Sequence, residues 1–178
     1  ACLAACDLRL RLHNIEKIFN QKDSVFEPDY STFQPTKRAK NVDSINIIPG
    51  EDTFCMDCRI LPCYKLDDVK KEVQRCCTKT EKEYGVKVEF TCPQESESPA
   101  TPVTAPAAQK LAAALKTVHG INARFIGIGG GTVGAELRRE GIDAVVWSTI
   151  DDQAHQPNEY CIIDNLIKDA ETLVELFK

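Results

Sequence analysis

The sequence predicts an α+β lid, a ferredoxin-like two-layer sandwich lacking its first strand, followed by a partial α/β domain with parallel strands and helices. Three observations lead there. The first half orders its apolar periodicities as helix, strand, strand, helix, strand, which is the β-α-β-β-α-β pattern without its opening strand. The stretch from Cys92 to Pro102 has linker composition and no periodicity, so it divides the chain into residues 1–98 and 99–178. The second half alternates strand and helix patterns, which is how a parallel layer is written in sequence.

Leu8, Leu12, Ile15 and Phe19 recur at helical spacing among charged neighbours, predicting an amphipathic helix from about Leu3 to Phe19. It starts with neither a cap nor a preceding strand, so residues upstream of Ala1 are expected. From Tyr30 to Ile48 the chain favours β structure and closes on the turn signal Pro49-Gly50. In the next strand Phe54, Met56, Cys58 and Ile60 alternate with Thr53, Cys55, Asp57 and Arg59, which puts Asp57 and Arg59 together on a polar face. That face is either solvated, where the ion pair contributes little, or the wall of a cleft, where Arg59 is a preformed carboxylate clamp. Asp67 or Asp68 is expected to cap a helix carrying Val69, Val73, Cys76, Thr80 and Tyr84 to a stop at Gly85. A strand over Val86, Val88 and Phe90 ends the first half.

Thr104 is expected to cap the next helix, with Pro106 in its first turn and His119-Gly120 at its end. A strand near Arg124 to Gly127, a helix from Thr132 to about Arg139, a strand from Ala144 to Ser148 and a helix from about Ile163 to Phe177 follow. His13 beside an apolar stripe is assigned a packing or surface role and His119 at a helix end a capping role, since lone histidines need partners to bind anything.

Composition excludes several classes of function. The formal charge is -5 and the pI about 5.3, and the longest basic cluster is Lys37-Arg38-Ala39-Lys40, so no nucleic-acid partner is expected. No apolar run approaches the ~20 residues of a membrane span. Nine cysteines, odd in number and unevenly spaced without secretory features, predict free thiols and a cytoplasmic location. Cys55-Met-Asp-Cys58 has the spacing of half a zinc knuckle, but residues three apart in a strand face opposite sides, so both are assigned as structural thiols.

Chemistry concentrates between Gly127 and Tyr160. Gly127-Ile-Gly-Gly-Gly131 between strand and helix permits close backbone approach and positive φ, and the helix start at Thr132 offers free amides. One reading is a dinucleotide turn, and hence a nicotinamide-dependent oxidoreductase domain. Its third glycine would fall on Thr132, although Asp151 and Asp152 lie near the position of a ribose-binding acid. A plain tight turn is the other. His155, in a loop stiffened by Pro157 and flanked by Asp151, Asp152 and Glu159, fits a metal ligand or a general base, but one histidine does not make a metal site.

Four motifs, Asn46-Ile-Ile-Pro-Gly50, Asp57-Cys-Arg59, Gly129-Gly-Gly-Thr132 and Ala154-His-Gln-Pro-Asn-Glu159, together resemble the C-terminal half of the zinc-dependent exopeptidases and deacylases. That family includes succinyl-diaminopimelate desuccinylase, acetylornithine deacetylase and aminoacylase. The resemblance implies that residues 1–98 are a lid or dimerisation domain and that the rest is the returning part of a catalytic domain. It implies His155 as a ligand to one of two bridged zinc ions, with cobalt or manganese as substitutes, and Glu159 as the residue holding the His155 loop. It implies Arg59 as the grip on a substrate carboxylate, Asn46 as the lid residue reaching a neighbouring subunit's site, and Gly131 and Thr132 as substrate contacts. The substrate class is an N-acyl amino acid or small peptide, and the assembly a homodimer through the lid.

In that family the remaining metal ligands and the water-activating Glu lie upstream of the lid, and no matching segment is present in these 178 residues. The lid's first strand, with its oxyanion-stabilising histidine, has no counterpart either. The chain is therefore expected to hydrolyse nothing alone and to bind zinc weakly. A module that dimerises or docks without catalysis is the alternative from another class.

Overall fold

The computed structural model describes residues 1–178 apart from Lys40, Asp152, Ala154 and His155. The chain forms two compact units. The first comprises Ala1–Ser96 with Gly127–Gly129, and the second Glu97–Ile126 with Gly130–Lys178.

In the first unit, α1 (Cys2–His13) runs into a 3-10 turn (Asn14–Lys17), so the predicted Leu3–Phe19 helix ends early. Asn14 turns its side-chain amide back to the Leu10 carbonyl (2.6 Å), supplying one of the acceptors' partners at the helix end. Helix α2 (Leu66–Tyr84) stops where Gly85 adopts φ 64° and donates its N–H to Glu81 O, a left-handed stop that glycine takes without a Cβ clash. Lys65, not Asp67 or Asp68, occupies the N-cap, and the two acids sit in the first turn, where they favour the helix dipole.

Strand β2 (Thr32–Arg38) pairs antiparallel with β3 (Phe54–Arg59), Phe33 opposite Cys58 and Gln34 opposite Asp57. The register shifts between Pro35 and Arg38, and Pro35 brings no N–H to the ladder. Phe33, Leu8, Leu12, Ile15, Phe19, Val69, Cys76 and Cys77 form one buried cluster, with Phe54, Met56, Ile60 and Val88 packed against it. Helices and sheet thus make two layers over a shared core, as the apolar alternation of β3 predicts.

The strand predicted over Val86–Phe90 forms no ladder. Val88 packs on the core and donates its N–H to the Glu81 carboxylate (2.9 Å), so a side chain replaces a neighbouring strand. His13 packs as expected, its Nδ1 donating to the Phe33 carbonyl at 2.9 Å.

In the second unit, α3 (Pro106–His119) ends on Gly120 at φ 69°. Its N-cap is Ala105, so the expected Thr104 cap is not made. Helix α5 (Ile163–Leu176) packs on α3, and His119 makes the specific contact. Its Nε2–H donates to Thr172 Oγ1 (2.9 Å), the Thr172 hydroxyl donates to Lys168 O, and the ring meets Trp147 edge-on at 5.5 Å. His119 is thus a cross-helix tie rather than a cap.

The predicted strands at Arg124–Gly127 and Ala144–Ser148 reduce to β4 (Gly127–Ile128), which pairs in parallel with β1 (Phe26–Glu27) inside the first unit. A strand is stabilised by its neighbour, and Ala144 and Thr149 satisfy their backbone with side chains instead. Thr101 Oγ1 accepts the Ala144 N–H and donates to its carbonyl, Arg138 also donates to that carbonyl, and Asp169 accepts the Thr149 N–H. Burial raises the Asp169 carboxyl, but the hydrogen bonds from Thr149 and Ser148 outweigh it and leave the pKa lowered.

Among the described residues no helix is long and apolar enough to cross a membrane.

Candidate functional site

Arg59 is the best-defined of the predicted site residues. The β3 alternation turns Cys58 toward Phe33 and leaves Asp57 and Arg59 on the opposite, polar face. Arg59 Nε donates to Asp57 Oδ2 at 2.8 Å, with both side chains about half exposed, at 48% each. Its Nη1 donates to the backbone carbonyl of Gly129, seventy residues away in sequence. The guanidinium is therefore held by two partners on a side chain that is about half exposed.

The glycine segment owes its composition to this neighbourhood. None of the residues from Gly127 to Gly131 has positive φ, so the left-handed freedom expected from sequence is not used. A Cβ on Gly127 would lie 2.4 Å from Phe26 Cε1, and one on Gly129 would lie 3.2 Å from Arg59 Cδ. Gly127 must stay bare to slide under the Phe26 ring, and Gly129 to lie against the Arg59 stem. The Gly127 N–H donates to Val25 O at 2.7 Å, anchoring the segment beside β1. The Cβ directions of Gly127 and Gly129 are thus filled by Phe26 and the Arg59 stem. Gly131 has open space where a Cβ would point.

Asn46 belongs to the exposed 44–48 loop, where Ser44 Oγ donates to its Oδ1 at 2.6 Å and Ile45 and Ile48 are almost wholly exposed. Gly131, Thr132 and Glu159 belong to the second unit. Thr132 is the N-cap of α4 (Val133–Arg139) in extended geometry without a side-chain capping bond, although its carbonyl accepts the Ala135 N–H. Glu159 follows a turn in which Asn158 takes φ 62°, and its N–H donates to Gln156 O at 3.3 Å. The predicted metal ligand His155 lies outside the described residues, as does Asp152. Asp151 accepts a hydrogen bond from the Tyr160 hydroxyl (3.1 Å), and that bond raises the phenol pKa.

Among the described residues no three His, Cys, Asp or Glu side chains converge as metal ligands must. Those residues do not by themselves make a metal centre. Cys55 and Cys58 sit on opposite faces of β3, as their spacing predicts, and all nine cysteines are free thiols. Burial, then the Asp57 charge, pushes the Cys58 thiol up to about 11, although part of the residue remains on the surface.

Sequence reasoning missed a second polar cluster in the first unit. The Asp52 side chain, only 1% exposed, accepts from Arg38 and from Asn41 Nδ2 (3.0 Å), while Arg38 also donates to Cys2 Sγ. The Arg38 hydrogen bond holds the Asp52 carboxyl below its usual range, against a smaller opposing effect of burial. Nothing in the local pattern of either residue announces this pairing, which depends on the bulged end of β2.

Residues 6–178 match the sequence profile of peptidase family M20/M25/M40. An uncharacterised metallohydrolase of Methanocaldococcus jannaschii is 38% identical over 169 residues, covering 90% of this chain and 41% of that protein. A second, from Methanococcus maripaludis, is 32% identical over 179 residues, covering 92% and 43%. An M20 family metallo-carboxypeptidase from Sulfolobus solfataricus shares the fold with a TM-score of 0.67 at 18% identity, over 95% of this chain and 43% of that one. The chain thus spans about two fifths of the length of the curated relatives it matches.

Proposed function

The chain is a member of peptidase family M20/M25/M40, and from that premise we propose that it forms the lid and C-terminal part of a metallohydrolase cleaving an amide bond of an N-acyl amino acid or small peptide. The observation that carries the substrate assignment is Arg59. Its side chain stands half exposed on the polar face of β3, oriented by Asp57, which suits it to charge-assisted hydrogen bonds with a substrate carboxylate.

The roles of the other residues belong to the same proposal. His155 is this chain's contribution to a centre of two zinc ions, and Glu159 steadies its loop. Gly131, open at its Cβ position, and Thr132 approach the substrate by backbone and hydroxyl. Asn46, on its exposed loop, serves the site of a second subunit in a homodimer formed through the lid. The free thiols favour a cytoplasmic setting. A bound metal of this kind supplies carbonyl polarisation and an activated water. Following the family resemblance, most of the metal's ligands are assigned to the part of the relatives' length that this chain does not span.

Two measurements test this. Zinc titration of the chain alone is expected to give only weak binding, because one ligand cannot hold the ion, and tight stoichiometric uptake would overturn the ligand assignment. Combining the chain with the remaining portion of the Methanocaldococcus jannaschii relative is expected to yield hydrolysis of N-acyl amino acids. In that complex Arg59→Ala should raise KM about 10- to 100-fold, the worth of hydrogen bonds to a charged group, with a smaller change in kcat. An unchanged KM would remove the carboxylate clamp.

A further inference from the structure

We propose that Arg59 is a carboxylate-operated latch: it holds the glycine segment through the Gly129 carbonyl, and a carboxylate arriving at the guanidinium displaces that carbonyl and frees the segment. This rests on the reading of Arg59 as the substrate-carboxylate grip. It adds what the same guanidinium does before a carboxylate arrives and what its arrival changes.

A guanidinium presents five N–H donors along two usable edges, one made by Nε with an Nη and the other by the two Nη groups. Bidentate capture of a carboxylate needs both donors of one edge. In Arg59 Nε donates to Asp57, and Nη1, which carries two N–H groups, donates one of them to Gly129 O. A carboxylate that takes either edge therefore competes for a nitrogen that is already engaged, Nε with Asp57 or Nη1 with Gly129 O. Asp57 is charged and two residues away on the same strand. Gly129 O is a neutral carbonyl, so its bond to the guanidinium lacks the second charge that strengthens the Asp57 pair. The carbonyl is the acceptor that leaves.

What holds the segment without that bond is slight. Strand β4 pairs with β1 over two residues, with the Gly127 N–H donating to Val25 O. The Arg59 stem lies against the bare α-carbon of Gly129, so the side chain restrains the segment by packing as well as by its hydrogen bond. Gly127–Gly129 sits in the first unit while its chain neighbours on both sides, Ile126 and Gly130, belong to the second. The latch thus acts on the three residues through which the chain re-enters the first unit, immediately before Gly131 and Thr132.

Amide exchange followed by NMR on the intact 178-residue chain tests the latch, with the Gly127 amide as reporter and the Arg59 Nε–H resonance as an independent sign of carboxylate binding. Without ligand, Arg59→Ala should speed Gly127 exchange about fivefold, the effect of losing one ordinary hydrogen bond, and leave the α2 amides unchanged. Arg59→Lys, which keeps the charge and most of the stem, should restore part of the protection. Gly127 exchange unaltered by Arg59→Ala would overturn the latch. With N-acetylglycine added to the wild-type chain, the Arg59 resonance should shift and Gly127 exchange should rise. N-acetylglycinamide, lacking the carboxylate, should do neither. A shifted resonance with unaltered exchange overturns the latch and leaves the clamp standing. If neither changes, the clamp fails and the latch with it.

Discussion

The two units of this chain bury their apolar residues very differently. The first packs Leu8, Leu12, Ile15, Phe19, Phe33 and Val69 into one continuous cluster in which Phe33 and Ile15 keep 1% of their surface. In the second the buried apolar set is Ala105, Ala108, Ala114, Leu115 and Ala135, mostly single methyl groups. Its large side chains lie outside. Ile163, Leu166, Ile167, Leu173, Val174 and Phe177 of α5 and its end are all at least half exposed, while the buried residue of that helix is Thr172. A helix patterned for burial but left exposed on its apolar stripe is a helix whose sequence anticipates a surface to pack on. The first unit thus closes a core of large apolar side chains, whereas the second leaves those of α5 on its surface.

Truncation at the two extremes of this contrast should give the largest effect. Phe33→Ala is expected to cost about 3–5 kcal/mol in urea unfolding, since it empties a closed site, whereas Phe177→Ala at 84% exposure should stay within about 0.5 kcal/mol. Equal costs would show that the stripe is covered in solution and would break the comparison. Next, an apolar dye such as ANS should bind the chain, and Leu166→Glu with Leu173→Glu should remove most of its fluorescence while Leu10→Glu, on α1, should not. Dye binding indifferent to α5 would place the open surface elsewhere.

Smaller effects sharpen the contrast inside each unit. Thr172→Val removes the acceptor for His119 and should cost about 1–2 kcal/mol, detectable through Trp147, the chain's one tryptophan, which lies against the His119 ring. In the first unit Asp52 sets an acid limit. Its carboxyl is lowered from 3.8 in the folded state, so its contribution is complete above that value and is lost as pH falls through the lower folded value. Asp52→Asn should therefore be less stable than wild type at neutral pH, with the gap closing below about pH 4 in acid unfolding curves.

The sequence displayed the helices well, because a helix is a local object whose apolar period can be read along fifteen residues. Gly85 and Gly120 both stop their helices as expected, in left-handed geometry. The caps were less legible: Asp67, Asp68 and Thr104 have cap chemistry, but Lys65 and Ala105 take the positions. Strands at 86–90, 124–127 and 144–148 were legible as extended chain and illegible as ladders, since pairing depends on partners distant in sequence. The polar face bearing Asp57 and Arg59 followed from alternation alone. Its junction with Gly129 did not, although Gly127 and Gly129, two apart in an extended segment, carry a signal that one face of it must stay bare. His155 lies outside the described residues, and its role still rests on the loop's composition and the family resemblance.

Cys76 and Cys77 lend the first unit a stopwatch. Both thiols are buried on the inner side of α2, while six of the remaining seven cysteines are exposed. Burial raises the pKa of each, so neither is a ready thiolate while the core is shut. A thiol reagent should exhaust the outer cysteines other than Cys58 in a fast burst, and Cys76 and Cys77 must then wait for α2 to lift. The slow phase would measure how often the first unit opens, undisturbed by the loosely packed second unit, whose one cysteine, Cys161, reacts in the burst.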